Sequence, residues 1–148
     1  MNYEITKLGA QHLNRFQELI YVFEDVFEME NFKMPSNNHL QLLLNSSHFM
    51  AFVAISNNQV VGGLTAYMLQ QYYSTSPLVY VYDLAVNTDL QRQGIGKALM
   101  LAINNHCQEI GVEEVFVQAD EADGYALDFY KSTGGTPEKV VHFCYPLK

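Results

Sequence analysis

Two glycines one residue apart, Gly94 and Gly96, stand between a short polar run and an apolar helical pattern, with Arg92 just before them and Lys97 just after. Glycine lacks the side chain that would keep an anion off the backbone. A helix start presents several unpaired N–H groups and the positive end of the helix dipole. Gln91 to Ala98 therefore reads as a phosphate-binding turn, to which Arg92 and Lys97 add cationic donors; a turn that only caps a helix is the alternative. The spacing is neither of two common phosphate loops: GxxxxGK[ST] is absent, and Ile95 and Lys97 interrupt the small residues in an order that does not fit GxGxxG. A second chemical group lies just upstream. Asp83 is the acidic residue of the apolar run Leu78 to Val86 that leads into the turn, which makes it the first candidate for accepting a proton. The alternative is a structural carboxylate that caps a bulge or pairs with a buried partner.

These groups need a strand, a loop and a helix to hold them, and the sequence supplies that order. Leu78 to Val86 is rich in β-branched and aromatic residues, and Ile95, Leu99, Ala102, His106 and Ile110 recur at helical spacing until Gly111, a natural C-terminal stop. Glu114 to Asp120 is the next strand, parallel to the first through the intervening helix. Upstream, Tyr3 to Thr6 reads as a strand, and Leu13, Phe16, Ile20, Phe23 and Phe27 mark a helix from about Ala10 through Phe23. Its far end turns acidic with Glu24, Asp25, Glu28 and Glu30, either a solvated helix end or a functional surface. Ser36 can cap a second helix carrying Leu40, Leu43 and Leu44. The period then changes to two. Phe49 to Ile55 and Val60 to Leu69 form a hairpin around Ser56-Asn57-Asn58-Gln59, and Gly62-Gly63 marks a bulge or a close backbone approach. Asp123 can cap a last helix, Tyr125 to Thr133, ended by Gly134-Gly135, and Val140 to Tyr145 reads as a final strand.

At 148 residues, 49% of them hydrophobic, the chain reads as one domain, 1–148, with a proper core. No basic-plus-apolar leader and no membrane-length apolar run occurs, so a cytoplasmic protein with no membrane partner is expected. Eight Lys and Arg against sixteen Asp and Glu, a formal charge of −8, argue against nucleic acid and fit a cationic ligand. Cys107 and Cys144 lack CxxC spacing and read as buried free thiols, and the five histidines gather at no metal-ligand spacing, so no metal is expected.

Gln91-Arg92-Gln93-Gly94-Ile95-Gly96 resembles the Q/R-x-x-G-x-G/A pyrophosphate loop of the GCN5-related N-acetyltransferases. Four further stretches are similar to the type I aminoglycoside 3-N-acetyltransferases of that superfamily, the gentamicin and fortimicin resistance enzymes: Phe23-Glu24-Asp25-Val26, Val60-Val61-Gly62-Gly63-Leu64, Tyr80-Val81-Tyr82-Asp83-Leu84-Ala85-Val86 and Val117-Gln118-Ala119-Asp120. A closing His142-Phe143 also fits. The resemblance implies an α/β (α+β) fold with a mixed, mostly antiparallel sheet of six or seven strands, helices on both faces, and a central strand pair that parts to admit the pantetheine arm. It implies acetyl-CoA as cosubstrate, held by Leu84, Ala85, Val86, Gln91, Arg92, Gln93, Gly94, Ile95, Gly96, Lys97, Ala98 and Tyr130, and a homodimer.

The expected reaction is acetyl transfer to the 3-amino group of an aminoglycoside by direct attack. Another small polyamine or amino sugar as acceptor, or a non-catalytic CoA-binding module, are the alternatives. An alkylammonium titrates near ~10 and must lose its proton before attacking a thioester, so a carboxylate that attracts the cation and then takes the proton helps. Asp83 is the first choice for that base. By the resemblance Asp120 joins it, and Tyr130 gives a proton or hydrogen bond to the leaving thiolate, with core packing as the alternative for Tyr130. Backbone N–H groups near Leu84 are expected to face the developing oxyanion. Glu24, Asp25, Glu28, Tyr82, Asp83 and Asp120 are the expected acceptor-binding residues. The chain departs from the family pattern after Asp120, where Glu121-Ala122-Asp123-Gly124-Tyr125 replaces an acidic and proline segment, and along Phe27 to Met34.

Overall fold

Four extended runs pair in chain order into one sheet: β1 (Glu4–Lys7), β2 (Phe49–Ser56), β3 (Gln59–Leu69) and β4 (Leu78–Val86) are each antiparallel to the next, and β5 (Glu114–Val117) joins β4 in parallel. This is a computed structural model that describes residues 2–148, so residue 1 of the expected domain lies outside the described residues. Asn57 and Asn58, with φ of 51° and 60°, form the β2–β3 turn. Asparagine tolerates the left-handed region, and two such residues match the strand twist.

Helices cover both faces. α1 (Leu13–Val26) and α2 (Asn37–Asn45) lie on one, where Phe16, Leu19, Val22, Phe23 and Leu40 pack with Phe49, Ala51 and Val53 of β2. α3 (Ile95–Glu109) lies on the other, its His106 ring edge-on to Phe52 at 5.9 Å, with Ile95, Leu99, Ile103 and Cys107 buried. Alternation along β2 separates the two sets. Gly63 lets α1 approach closely: a Cβ there would stand 2.5 Å from Leu19 Cδ1 and from the Phe52 carbonyl. Ser36 caps α2 by accepting from His39 N at 3.2 Å, as its position predicts.

The chain divides into two compact units, Met1–Gln118 with the sheet and the first three helices, and Ala119–Lys148 with α4 (Gly124–Ser132). Within the second, Asp123 Oδ1 accepts from Ala126 N at 3.0 Å and so caps α4. No helix among the described residues is long and apolar enough to cross a membrane.

Three expectations need correction. Among the described residues the sheet has five strands instead of six or seven, because residues 135–148, including the expected strand Val140 to Tyr145, form no regular element. Alternation states what a segment can bury when paired, and a strand exists only with a partner ladder. β5 stops at Val117 instead of reaching Asp120, whose Oδ1 instead accepts from Ala122 N at 3.0 Å and turns the chain. Cys107 is buried as expected, but Cys144 is exposed.

Candidate active site

The register of β3 against β4 decides where Asp83 points. Tyr67 pairs with Tyr80, Ala66 with Val81, and Thr65 with Asp83, so Tyr82 is an extra residue on β4. Opposed residues of an antiparallel pair share a face, and a bulge re-aims the residues beyond it. Strict alternation would send Asp83 to the face of Val79 and Val81, both fully buried. The bulge returns it to the face of Tyr67 and Tyr80. Tyr82 joins them there, its ring edge-on to both with centroids 5.8 Å apart in each case. Tyr80, Tyr82 and Asp83 thus crowd one face of a single strand.

β4 also opens on its other edge at this point. Pairing with β5 ends at Val81 opposite Val117, while β4 runs on to Val86. Asn87 N donates across to the Val61 carbonyl at 2.8 Å, which fixes the phase of the strand. Alternation then turns the N–H groups of Leu84 and Val86 away from β3, toward the open edge. β5 ends where this pairing ends, so β4 is left without a neighbour on that edge from Tyr82 to Val86 within this unit.

A single 3₁₀ turn, Thr88–Leu90, carries the chain from β4 toward α3. Gln91 Nε2 donates to the Val86 carbonyl at 3.1 Å and ties the turn to the strand. Arg92 and Gly94 are both left-handed, with φ of 65° and 86°. Gly94 is the N-cap of α3 and supplies no side-chain acceptor, so the first-turn N–H groups keep no cap. A Cβ at Gly94 would meet only Tyr3 Oη, at 3.9 Å. The space before the helix N-terminus is therefore open, and Arg92 and Lys97 are exposed beside it. These donors fit a diphosphate.

Asp83 is half-buried, and its carboxylate receives no hydrogen bond among the described residues. Burial holds its pKa above the usual carboxylate range. Desolvation first, then Tyr82 and the Asp83 charge, push the Tyr67 and Tyr80 phenols upward, so both remain protonated at neutral pH. Tyr80 Oη donates to Gln118 Oε1 at 3.1 Å. On α3, Cys107 is buried and its thiol is pushed up to about 11, the wrong state for a nucleophile.

Glu24 and Asp25 lie in the last turn of α1 and Glu28 just beyond it, where Glu28 takes a left-handed φ of 51° and Met29 N donates back to the Glu24 carbonyl at 3.1 Å. Asp25 lines a shallow cleft with Glu18, Tyr21, Val22, Gln59, Val60 and Asn87, residues that do not include Asp83. Acidic groups at a helix C-terminus face the negative end of its dipole, which a bound cation would relieve. In the second unit, Asp120 is exposed with Oδ1 engaged by Ala122 N. Tyr130 is half-buried on α4, its ring edge-on to Phe129 at 5.0 Å.

Sequence reading missed Tyr67, Tyr80 and Thr65 as neighbours of Asp83. Only strand register brings them there, and the alternation Tyr80-Val81-Tyr82-Asp83 predicts the opposite face for the carboxylate.

Residues 13–134 match the family model described as Acetyltransferase (GNAT) family. The chain is similar to an aminoglycoside acetyltransferase, meta-AAC0020, from an uncultured soil metagenomic sample, at 56% identity and a TM-score of 0.96 over 99% of this chain and 97% of that one. That protein has been solved in complex with trehalose and with sisomicin. A second aminoglycoside acetyltransferase, HMB0005, also from an uncultured soil metagenomic sample, shares 31% identity with a TM-score of 0.94 over 100% of both chains. An aminoglycoside N-acetyltransferase, AAC(6')-Iy in complex with CoA, is 16% identical with a TM-score of 0.80 over 99% and 96%, a likeness of fold alone. A search of curated proteins finds no match.

Proposed function

The chain belongs to the acetyltransferase (GNAT) family, and from that premise we propose that it transfers an acetyl group from acetyl-CoA, the family's donor, to the 3-amino group of an aminoglycoside. The observation that carries this reading is the bulge at Tyr82. It turns a half-buried carboxylate without a hydrogen-bond donor onto the aromatic face of β4, where the β4–β5 pairing ends. The sisomicin complex of the 56%-identical protein supports an aminoglycoside acceptor. The assignment to the 3-amino group rests on the Tyr80 to Val86 and Val117 to Asp120 segments.

In this reading the diphosphate of acetyl-CoA sits on the N–H groups from Gln91 to Ala98, and the thioester lies along the open edge at Leu84, Ala85 and Val86. The Leu84 N–H, turned to that edge, faces the carbonyl oxygen as it gains charge. Asp83 attracts the ammonium, takes its proton and leaves a neutral amine, whose lone pair forms the C–N bond as the C–S bond breaks; the second proton lost from nitrogen replaces the one given to the thiolate, and the proton on Asp83 passes to water. A carboxylate with a raised pKa is the better acceptor for that proton. Asp120 is assigned to cation binding and a share of the base role, and Tyr130 to protonating the departing thiolate, both by the resemblance. Glu24, Asp25 and Glu28 supply a long-range attraction for a polycation. We further assign all of 1–148 to one catalytic domain and the chain to a homodimer. The exposed Val140, Val141, Phe143, Tyr145 and Leu147 support the dimer, and sedimentation equilibrium tests it.

The deciding experiment monitors thiol release from acetyl-CoA with sisomicin and locates the new amide by NMR. Acetylation at the 3-amino nitrogen is expected. An amide at another nitrogen overturns the regiochemistry, and no turnover with any aminoglycoside overturns the acceptor. Calorimetric titration with acetyl-CoA should show weaker binding to Gly94→Val, which fills the space before α3 and strains a left-handed residue.

A further inference from the structure

Tyr82 is a large aromatic left 57% exposed at the extra position of a bulge, between neighbours that are buried or half-buried. Burial of apolar surface works against such a placement. Its ring is nonetheless held on two sides, at 86° to Tyr67 and 78° to Tyr80. Each holder is itself anchored. Tyr67 lies edge-on to Phe49 at 5.3 Å, and Phe49 meets Phe16 at 5.5 Å in the core. Tyr80 stacks on Phe116 at 4.9 Å and 6°, and its hydroxyl donates to Gln118. A ring that serves only as packing needs no such fixed attitude at an exposed position.

The second observation is independent of the rings. Asp83, next along the strand and on the same face, has neither a hydrogen-bond donor nor a basic side chain within ion-pair distance among the described residues. The ion pair between Arg15 and Glu18, at 2.9 Å, lies within α1 and leaves Asp83 uncompensated. An uncompensated carboxylate beside an oriented aromatic ring is the arrangement that favours an alkylammonium, which the ring draws by its quadrupole and the carboxylate by its charge.

We infer that Tyr67 and Tyr80 are positioning residues that clamp Tyr82 beside Asp83, so that ring and carboxylate together select the charged form of the acceptor amine. This rests on the amine-acetylation reading above and deepens it. The clamp lets an ammonium settle over Tyr82 before Asp83 takes its proton, and it disfavours neutral sugars of similar shape.

The test replaces Tyr82 by phenylalanine and then by mono-, di- and trifluorinated phenylalanines, which keep the shape and progressively weaken the negative face of the ring. The Kd of sisomicin should rise stepwise with fluorine count, by about 2- to 30-fold in all, with the KM for acetyl-CoA unchanged. Tyr67→Leu or Tyr80→Leu should weaken sisomicin and flatten the fluorine dependence, which a merely structural role would not do. Melting curves accompany each variant. Should a leucine variant not fold, Phe116→Leu, which removes the stack under Tyr80, takes its place. Tetramethylammonium, detected by the upfield shift of its methyl protons, is the second probe. If sisomicin is acetylated but neither probe responds to fluorine, the clamp is overturned and the acceptor reading stands. If sisomicin neither binds nor reacts but tetramethylammonium shows the fluorine series, the cation site stands and the aminoglycoside falls. Absence of both overturns both.

Discussion

Asp83 and Asp120 are the two acidic residues that the sequence offers as a base, and the structure gives them opposite surroundings within their own units. Asp83 is half-buried and receives no hydrogen bond among the described residues, and burial alone raises its pKa. Asp120 is exposed, and one of its oxygens already accepts from Ala122 N. One carboxylate is left free of local duties, and the other holds a turn. Position after a strand does not by itself distinguish a base from a turn residue. What distinguishes them is whether the backbone nearby has donors that need an acceptor, and whether the strand geometry has withdrawn the group from water.

The largest expected effect is the kinetic one. Asp83→Asn keeps the shape of the side chain and removes the proton acceptor, so kcat/KM for the amine should fall ~10²- to 10⁴-fold, the usual span for a general base. Asp120→Asn retains Oδ1 for the turn and loses an exposed charge. Its cost should be a rise in acceptor KM of up to about fivefold, because exposed ion pairs contribute about 1 kcal/mol or less, with a fall in kcat for its share of the base role that is far smaller than that of Asp83→Asn. Steady-state kinetics of the two variants side by side measures the contrast. The roles exchange if Asp120→Asn collapses kcat and Asp83→Asn does not.

The pH profile sharpens the same contrast with a smaller effect. Asp83 must be ionised to take a proton, and its pKa lies above the ordinary carboxylate value. Wild-type kcat/KM should therefore decline as pH falls through that raised pKa, about tenfold per unit once below it. In Asp83→Asn the break at that pKa should vanish, and activity should instead climb steadily with rising pH toward the amine pKa as free amine becomes available without help. An acidic limb that survives in Asp83→Asn, and disappears in Asp120→Asn, assigns the titration to the other carboxylate.

Much of this geometry is legible in the sequence alone, and the part that is not has a definite cause. β4 was readable to the residue because a β-branched run ended at a polar turn, and Ser36 and Asp123 announced their helices through ordinary capping chemistry. The glycine turn was readable because few residues other than glycine accept a φ of 86° and leave open space. The face of Asp83 was not. It depends on one inserted residue in the register with β3, and a bulge carries no signature in Tyr80-Val81-Tyr82-Asp83. Val140 to Tyr145 failed for the complementary reason: alternation was present, and the ladder that makes alternation a strand was not.

The smallest effect, on stability, has opposite signs at the two positions. For Asp83 the folded pKa exceeds the unfolded one, since burial disfavours the charged form. Between those two values the folded chain binds more protons than the unfolded chain, so stability falls as pH rises through that window. Above it the ionised Asp83 is a net cost to folding. Asp83→Asn should therefore melt higher than wild type at pH 7 to 8, with the gain shrinking as pH drops below the window and both states become protonated. Asp120→Ala should do the reverse. It leaves Ala122 N without its acceptor and lowers stability by about 1 kcal/mol or less, with Asp120→Asn near wild type because Oδ1 remains. Thermal melts of the three variants across pH decide it. A lower Tm for Asp83→Asn at neutral pH would make Asp83 a structural carboxylate, and the loss of activity would then no longer identify a base.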